Sequence, residues 1–588
     1  MKLDGQARSI LPPGGGAWPV VGIRPTIGRV LLYALPLGFL AIFFCYPLVA
    51  ILRLSFAGGV GGLLQALGTG YYWQVLAFTT GQAALSTLLT LAIGLPGAFV
   101  FARYEFPGKA LLRAMAGVPF VMPTVVVAVA FGALLGPRGL LNQALQAVFG
   151  LATPPIQLGG LAAVLLAHVF YNYTVVLRLV GGFWANLDPR LEQAAAVLGA
   201  SRRRALLSVT LPLLAPAVGA AALLVFIFSF TSFGVIVILG GPRLATLEVE
   251  IYRQTAQLLR LDVAATLALI QAACTLLLSL AYTRLAARAA VPLELQPRGL
   301  TARPPRRARE RLLVGATMLV LTLLLGAPLA ALALRSLLAP PGAGPLFTLA
   351  AYTALGENRT GSAFFVPPTV AIANSLRIAT TTTALALLVG IPAAYLLARG
   401  GQAPQRGPFT RLRAGLYGWT DALFMLPLGT SAVTLGLGYL VALSVPGLAG
   451  LRTSPWLLPL LHTLVALPFV IRALVPVLRA RNPRQREAAA VLGATPLAAW
   501  LRVELPQIAP ALATGAIFAF TVSLGEFGAT LLLTRPDAPT LPVMIFRFLG
   551  QPGALNYGQA LALSTILMLI TAAGFLLLER LRPPGGEF

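Results

Sequence analysis

With 588 residues, 58% of them apolar and only 10% charged, the chain is too apolar for a string of soluble domains and reads as an integral membrane protein. A formal charge of +26 would suit a nucleic-acid binder, but the basic residues fall in short loops between long apolar runs, where orientation rules place them, and that class is set aside. Cys45 and Cys274 both lie inside apolar runs, too few and too deep for a disulfide framework or a zinc site, and are expected to be packing residues.

Residues 1–29 form a basic, Gly/Pro-rich tail. The first apolar run, 30–51, exceeds the apolar core of a signal peptide, lacks a clear small-residue cleavage site and is expected to stay as a span. Further spans are expected at 76–102, 111–135, 160–181, 214–239 and 264–286, which completes a first half over 30–286. Residues 287–311, rich in arginine, read as a cytoplasmic linker, a solvated tether rather than a lipid-headgroup site. A second six follow at 312–336, 370–398, 417–443, 456–478, 508–533 and 559–579, giving a second half over 312–580 and a short tail at 581–588.

Backbone groups in lipid must pair within their own segment, so the expected fold is all-α with about 12 transmembrane helices. Pro96 and Pro392 are expected to kink their helices rather than end them. Placing the N-terminus inside puts most of the 43 Lys and Arg on the cytoplasmic side, with both termini there. Six spans per half is an even number, so the halves form a parallel repeat about an axis along the membrane normal, unlike the inverted repeats of many carriers. The loops at 56–74 and 339–369 should then face outward, the second long enough to meet an external partner.

One cytoplasmic stretch occurs twice. Residues 187–217 read LDPRLEQAAAVLGASRRRALLSVTLPLLAPA and residues 481–511 read RNPRQREAAAVLGATPLAAWLRVELPQIAPA. The offset of 294 pairs Gly199 with Gly493, Pro212 with Pro506, His168 with His462, Arg178 with Arg472, Pro189 with Pro483, Phe233-Gly234 with Phe527-Gly528, Pro242 with Pro536, and Thr246-Leu247 with Thr540-Leu541. GLPGAFVFAR at 94–103 and GIPAAYLLAR at 390–399 extend the repeat. Ala194-Ala195-Ala196 and Ala488-Ala489-Ala490 make a thin helix face, and Gly199 and Gly493 allow a sharp exit. Such a helix suits a groove on another protein, with Glu487 or nearby arginines as anchors; the competing reading is a connector lying on headgroups.

The pattern Glu-Ala-Ala, three residues, Gly, then Leu-Pro resembles the EAA loop of membrane subunits of ATP-binding-cassette importers. The match is close at Glu487-Ala488-Ala489, Gly493 and Leu505-Pro506, and looser where Gln193 occupies the glutamate position and Glu192 sits one residue earlier. With two six-span halves fused, the whole chain is similar to the ferric-iron and thiamine permeases, relatives of the sulfate and molybdate permeases. The resemblance implies the type I importer-permease fold in a bacterial or archaeal cytoplasmic (inner) membrane. It also implies two copies of an ATPase subunit docked on coupling helices built from Glu192, Gln193, Ala194, Ala195, Gly199 and Pro212 and from Glu487, Ala488, Ala489, Gly493 and Pro506. An extracytoplasmic binding protein would deliver the solute, ferric iron or thiamine first, with a sulfate- or molybdate-type anion as the alternative.

The only lysines are Lys2 and Lys109, and neither lies in a phosphate-binding loop, so no cofactor is expected on this chain and ATP and Mg belong to the partner. No nucleophile–base pair or metal-ligand cluster supports an enzyme. Glu526, in SLGEFGATLLL about halfway along the eleventh span, would cost roughly 2.5 to 3.5 kcal/mol facing lipid and must face protein or water. It is read either as a residue of the translocation path or as a structural carboxylate; its counterpart is Ser232. Phe233, Gly234, Phe527 and Gly528 form a symmetric aromatic-plus-small pair beside it, and the fifth and eleventh spans are expected to face each other there. His168 and His462 are expected to make interhelical hydrogen bonds rather than bind metal, and Arg178 and Arg472 to snorkel. A self-sufficient ion-coupled carrier using Glu526 is the alternative function, disfavoured by the paired loops.

Overall fold

The computed structural model describes residues 27–57, 68–188, 190–241, 243–289, 302–339, 347–357, 366–400, 420–427, 429–482 and 484–581. Most of the N-terminal tail, the tip of the 56–74 loop, residues 290–301 of the linker, parts of the 339–369 loop, the start of the ninth expected span, the last residues from 582, and Pro189, Pro242 and Pro483 lie outside the described residues.

Among the described residues there are helices and two isolated bridges but no strand. The first half contains α1 (Tyr33–Ser55), α2 (Gly70–Arg103), α3 (Lys109–Val121), α4 (Thr124–Leu135), α5 (Gly160–Asn186), α6 (Arg190–Val197), α7 (Leu211–Phe230), α8 (Gly234–Leu239), α9 (Leu247–Tyr252) and α10 (Leu261–Ala289). The second contains α11 (Ala308–Leu337), α12 (Pro368–Gly400), α13 (Ala432–Ala442), α14 (Leu457–Ala480), α15 (Arg484–Val491), α16 (Leu505–Gly525), α17 (Gly528–Leu533), α18 (Leu541–Leu549) and α19 (Ala554–Leu581). Eleven helices are long and apolar enough to cross a membrane, or up to twelve when Thr420–Pro427 and α13, bent by 93°, count as one span.

Four expected spans are not continuous, the ninth bending by 93° between Pro427 and Ala432. The third breaks at Met122-Pro123 between α3 and α4, and the fifth and eleventh break at Thr231–Phe233 and at Glu526-Phe527. Apolar windows hide such breaks because the broken backbone faces protein rather than lipid, where its polar groups find partners.

Proline shapes the helices that do continue. Pro96 and Pro392 lie inside α2 and α12. Pro47, Pro212, Pro328 and Pro506 are each preceded by a five-residue π turn, at Ala41–Cys45, Leu206–Thr210, Thr322–Gly326 and Trp500–Glu504. A proline ring has no N–H to donate and collides with the carbonyl four residues back, which lies inside the π turn in every case; the widened turn relieves that collision without ending the helix. The Leu-Pro of the repeated motif therefore builds the same bulge in both halves.

The halves exchange their first spans. Phe39, Leu40 and Phe44 of α1 pack into the core formed by α12, α13 and α14, and Tyr439 donates its hydroxyl to the Phe43 carbonyl at 2.9 Å. The Ala327–Leu337 part of α11 packs in return against α4 and its earlier turns against α3, so that Leu321, Leu325 and Leu332 share one core with Val125, Val126 and Val129. The linker is also anchored: its described end places Arg303 beside the foot of α2, where it accepts from the Glu105 N–H at 3.0 Å, and its guanidinium pairs with Glu310 at 2.7 Å. It is thus not simply a solvated tether.

Small residues set the close crossing of α2 and α5. A Cβ on Gly97 would lie 1.7 Å from the Tyr173 hydroxyl, and one on Gly94 would lie 2.8 Å from Val176. Gly97→Ala is accordingly expected to destabilise the protein by about 1–3 kcal/mol through overpacking. Thermal unfolding of the detergent-purified variant checks this, and an unchanged melting temperature would contradict the crossing.

Candidate functional site

The breaks in the fifth and eleventh spans meet between the two halves. The Phe233 and Phe527 rings stack with centroids 5.6 Å apart and planes 25° from parallel. A Cβ on Gly234 would stand 3.2 Å from the Phe527 ring and one on Gly528 would stand 3.5 Å from the Phe233 ring, so each glycine seats the opposite phenylalanine. The fifth and eleventh spans thus face each other as the repeat led one to expect. Around them lies a cavity of about 370 Å³, with walls from both halves that include Ser232, Phe233, Gly234, Glu526, Phe527 and Gly528. Every residue named from sequence for the path is on this wall.

Glu526 terminates α16 and its carboxylate caps α17. Its Oε1 accepts the Ala529 N–H at 2.9 Å and its Oε2 the Thr530 N–H at 3.0 Å, the bonds by which a short side chain satisfies the first donors of a helix. Oε2 also accepts the Thr530 hydroxyl and lies 3.3 Å from His462 Nε2. Because the Thr530 hydroxyl has one proton and gives it to Glu526, its oxygen accepts from His462 Nε2, 2.9 Å away, and His462 Nδ1 shares a hydrogen bond with the Ser523 hydroxyl at 2.8 Å. The structural reading of Glu526 and its position on the wall therefore hold together: it is a cap that also faces the cavity.

The first half lacks this network. Ser232 stands at the Glu526 position and Ile236 at the Thr530 position. His168 reaches Ser86 through Nδ1 at 2.9 Å, but its Nε2 has no hydrogen-bond partner among the described residues, and the ring borders the cavity. The expectation of interhelical hydrogen bonds is met fully by His462 and only at one nitrogen by His168.

A residue not singled out from sequence also lines the cavity. Glu248 of α9, 1% exposed, accepts from Ser431 Oγ of the second half at 2.5 Å and from Gln271 of α10. Its counterpart under the repeat is Pro542, so a search guided by shared residues passes over it. The available signal was an acidic residue in TLEVEIY, between two apolar spans.

The repeated cytoplasmic stretch forms α6 and α15, neither of which buries a residue. Both end in the same way. Gly199 (φ +86°) and Gly493 (φ +82°) adopt the left-handed conformation that favours glycine, and the following N–H, of Ala200 or Ala494, reaches back to the carbonyl of Ala195 or Ala489 at 2.9 or 3.0 Å. Ala194 and Ala488 are exposed and Ala195 and Ala489 half-buried, and the structure also exposes apolar residues that were not singled out from sequence: Val197 (86% exposed), Leu198 (88%), Val491 (87%) and Leu492 (87%).

The two stretches are tied to their spans by mirrored charges. In the first, Glu192 bonds Arg103 at 2.9 Å and the Thr210 hydroxyl at 2.8 Å, so the carboxylate is on the loop helix. In the second, Arg486 takes the Glu192 position and Glu504 the Thr210 position; Glu504 lies 3.6 Å from Arg486, 2.8 Å from Arg481 and 2.9 Å from the Tyr395 hydroxyl. Glu192 therefore makes an ion pair and is turned toward the spans, whereas Gln193 and Glu487 are exposed. Pro212 and Pro506 follow the π turns directly above these ties.

Two fused helical halves, a central cavity at their shared breaks, and a duplicated exposed loop define a membrane permease. Residues 94–291 and 386–583 each match the family described as "Binding-protein-dependent transport system inner membrane component", and the chain belongs to that family of transport subunits, which work with ATPase and binding-protein partners in ABC importers. It is similar to the "Thiamine transport system permease protein ThiP" of Escherichia coli (strain K12), 28% identical over 522 residues that cover 87% of this chain and 89% of the relative. ThiP of Salmonella typhimurium is likewise 28% identical over 522 residues, covering 87% and 89%. The "Probable ABC transporter permease protein y4fN" of Sinorhizobium fredii is 28% identical over 522 residues and covers 86% of each chain.

Proposed function

We propose that this chain forms the translocation path of an importer in which two copies of a separate ATPase subunit dock on α6 and α15, and a binding protein delivers the solute from outside. The observation that carries the reading is the pair of like-built loops, each presenting an uncovered Val-Leu tip beyond a thin alanine face. Both termini and both loops lie in the cytoplasm, and the halves run over 30–286 and 312–580. Transport in proteoliposomes tests this: uptake should require the added ATPase and ATP, whereas uptake by the chain alone would restore the ion-coupled carrier.

Glu487 is exposed at the motif position and makes no hydrogen bond or ion pair among the described residues, so it is available to a partner. Glu487→Ala is expected to weaken copurification with the ATPase more than Gln193→Ala does, because the second removes no charge. Equal retention of the ATPase by both variants would count against the anchor.

For the solute we propose thiamine. Relatives covering most of the chain carry that name, and the cavity wall has Glu248, Glu526 and several aromatic rings but, among the described residues, no Lys or Arg. That lining favours an organic cation over a sulfate- or molybdate-type anion. Ferric iron is less well served, since among the described residues no group of three or more His, Cys, Asp and Glu could hold a metal ion.

A further inference from the structure

We infer that Glu248 is the charge-recognising contact of the central cavity, selecting a solute whose positive charge sits on a flat organic body. The inference rests on the cavity being the translocation path. Glu248 and Glu526 are both buried on the wall, but their surroundings differ. Glu526 is occupied by two backbone N–H groups, a threonine hydroxyl and His462. Among the described residues Glu248 has two neutral partners, Ser431 and Gln271, and no Lys or Arg stands on the cavity wall with it. A carboxylate accepts about four hydrogen bonds. Two neutral donors leave Glu248 with unused acceptor capacity in a setting where ionisable residues are costly.

The rest of the wall suits the same ligand. Phe233 stacks on Phe527 and Phe469 on Phe518, and all four rings border the cavity. Aromatic faces attract organic cations through the ring quadrupole, most strongly away from water. His168 Nε2, buried and without a partner among the described residues, adds one neutral hydrogen-bonding site on the first-half side. Cationic charge would thus be met by Glu248, flat apolar surface by the rings, and a polar substituent by His168.

Glu248 also joins the halves, since Ser431 belongs to the second. A purely structural role as that cross-link is the competing account, and it predicts a different response. In Glu248→Gln the amide oxygen can still accept from Ser431, and Gln271, whose own Oε1 has no partner, can turn its amide over to accept from the new amide nitrogen. The cross-link survives while the charge is lost.

The experiment compares uptake of labelled thiamine with uptake of its neutral isostere, in which carbon replaces the quaternary ring nitrogen, by cells producing the whole transporter. Wild type should prefer thiamine. Glu248→Gln should reduce thiamine uptake at least about tenfold, mainly through KM, while uptake of the isostere is retained and shows that the variant is folded. Ser431→Ala, which removes the cross-link but keeps the charge, should change both probes alike. Equal thiamine uptake by wild type and Glu248→Gln, or equal loss of both probes, would overturn the role of Glu248 and leave the permease reading standing. Wild-type uptake of neither probe would overturn the solute assignment together with this inference.

Discussion

Gly493→Arg should abolish ATP-driven uptake while the protein still inserts and accumulates in the membrane. Gly493 has φ +82°, and nothing lies within 4 Å of where its Cβ would stand. A Cβ there enters open space among the described residues, so the added bulk starts out into the space a docked ATPase would fill. The left-handed backbone adds a cost of roughly 1–2 kcal/mol for an L-residue, confined to the end of α15. Gly493→Asn separates the two effects, because asparagine tolerates this conformation and is small; it should keep much of the uptake that arginine abolishes. Ala489→Arg should act like Gly493→Arg, and Gly199→Arg should reproduce the defect at the other loop. Uptake in cells and copurification with the ATPase measure these outcomes. Bulky variants of both loops that retain uptake and association would remove the docking assignment.

The second large effect is expected at Glu526. Glu526→Ala leaves the buried N–H groups of Ala529 and Thr530 without acceptors and deprives the Thr530–His462–Ser523 chain of its terminal acceptor. Loss of a cap and of buried partners is worth on the order of 2–4 kcal/mol. The variant should melt well below the wild type and lose uptake, since α17 carries the glycine that seats Phe233. Glu526→Gln keeps one acceptor oxygen and should fall between the two. Melting curves of the detergent-purified variants, read with the uptake assay, check this. Glu526→Ala with wild-type melting would show that the cap contributes nothing.

The contrast between the two glutamates explains why one was found from sequence and the other was not. Glu526 lies inside an apolar run, where transfer cost alone marks a carboxylate as paired or functional. Its partners could not be read, because the backbone that bonds it is freed only by a helix break, and that break falls in a stretch apolar enough to pass as one span. Glu248 lies outside the apolar runs, differs from its repeat partner Pro542, and acquires meaning only when Ser431, 183 residues away, is brought against it.

The sequence by itself determined the membrane class, the number and helical state of the spans, the twofold repeat and the position of the duplicated loop. All of these follow from local quantities: apolar length against bilayer thickness, the need of backbone groups in lipid to pair within a segment, and the near-identity of two motifs. It also located the Leu-Pro steps, although their π turns appear only once the helix has to pass the proline ring. Tertiary structure alone decided the exchange of α1 and α11 between the halves, the four breaks, the cavity where the breaks of the fifth and eleventh spans meet, and the mirrored ties Arg103–Glu192 and Arg481–Glu504. The reason is common to these features: each depends on which groups distant in the chain become neighbours, and hydrophobic patterning specifies that a helix face is buried without specifying against what.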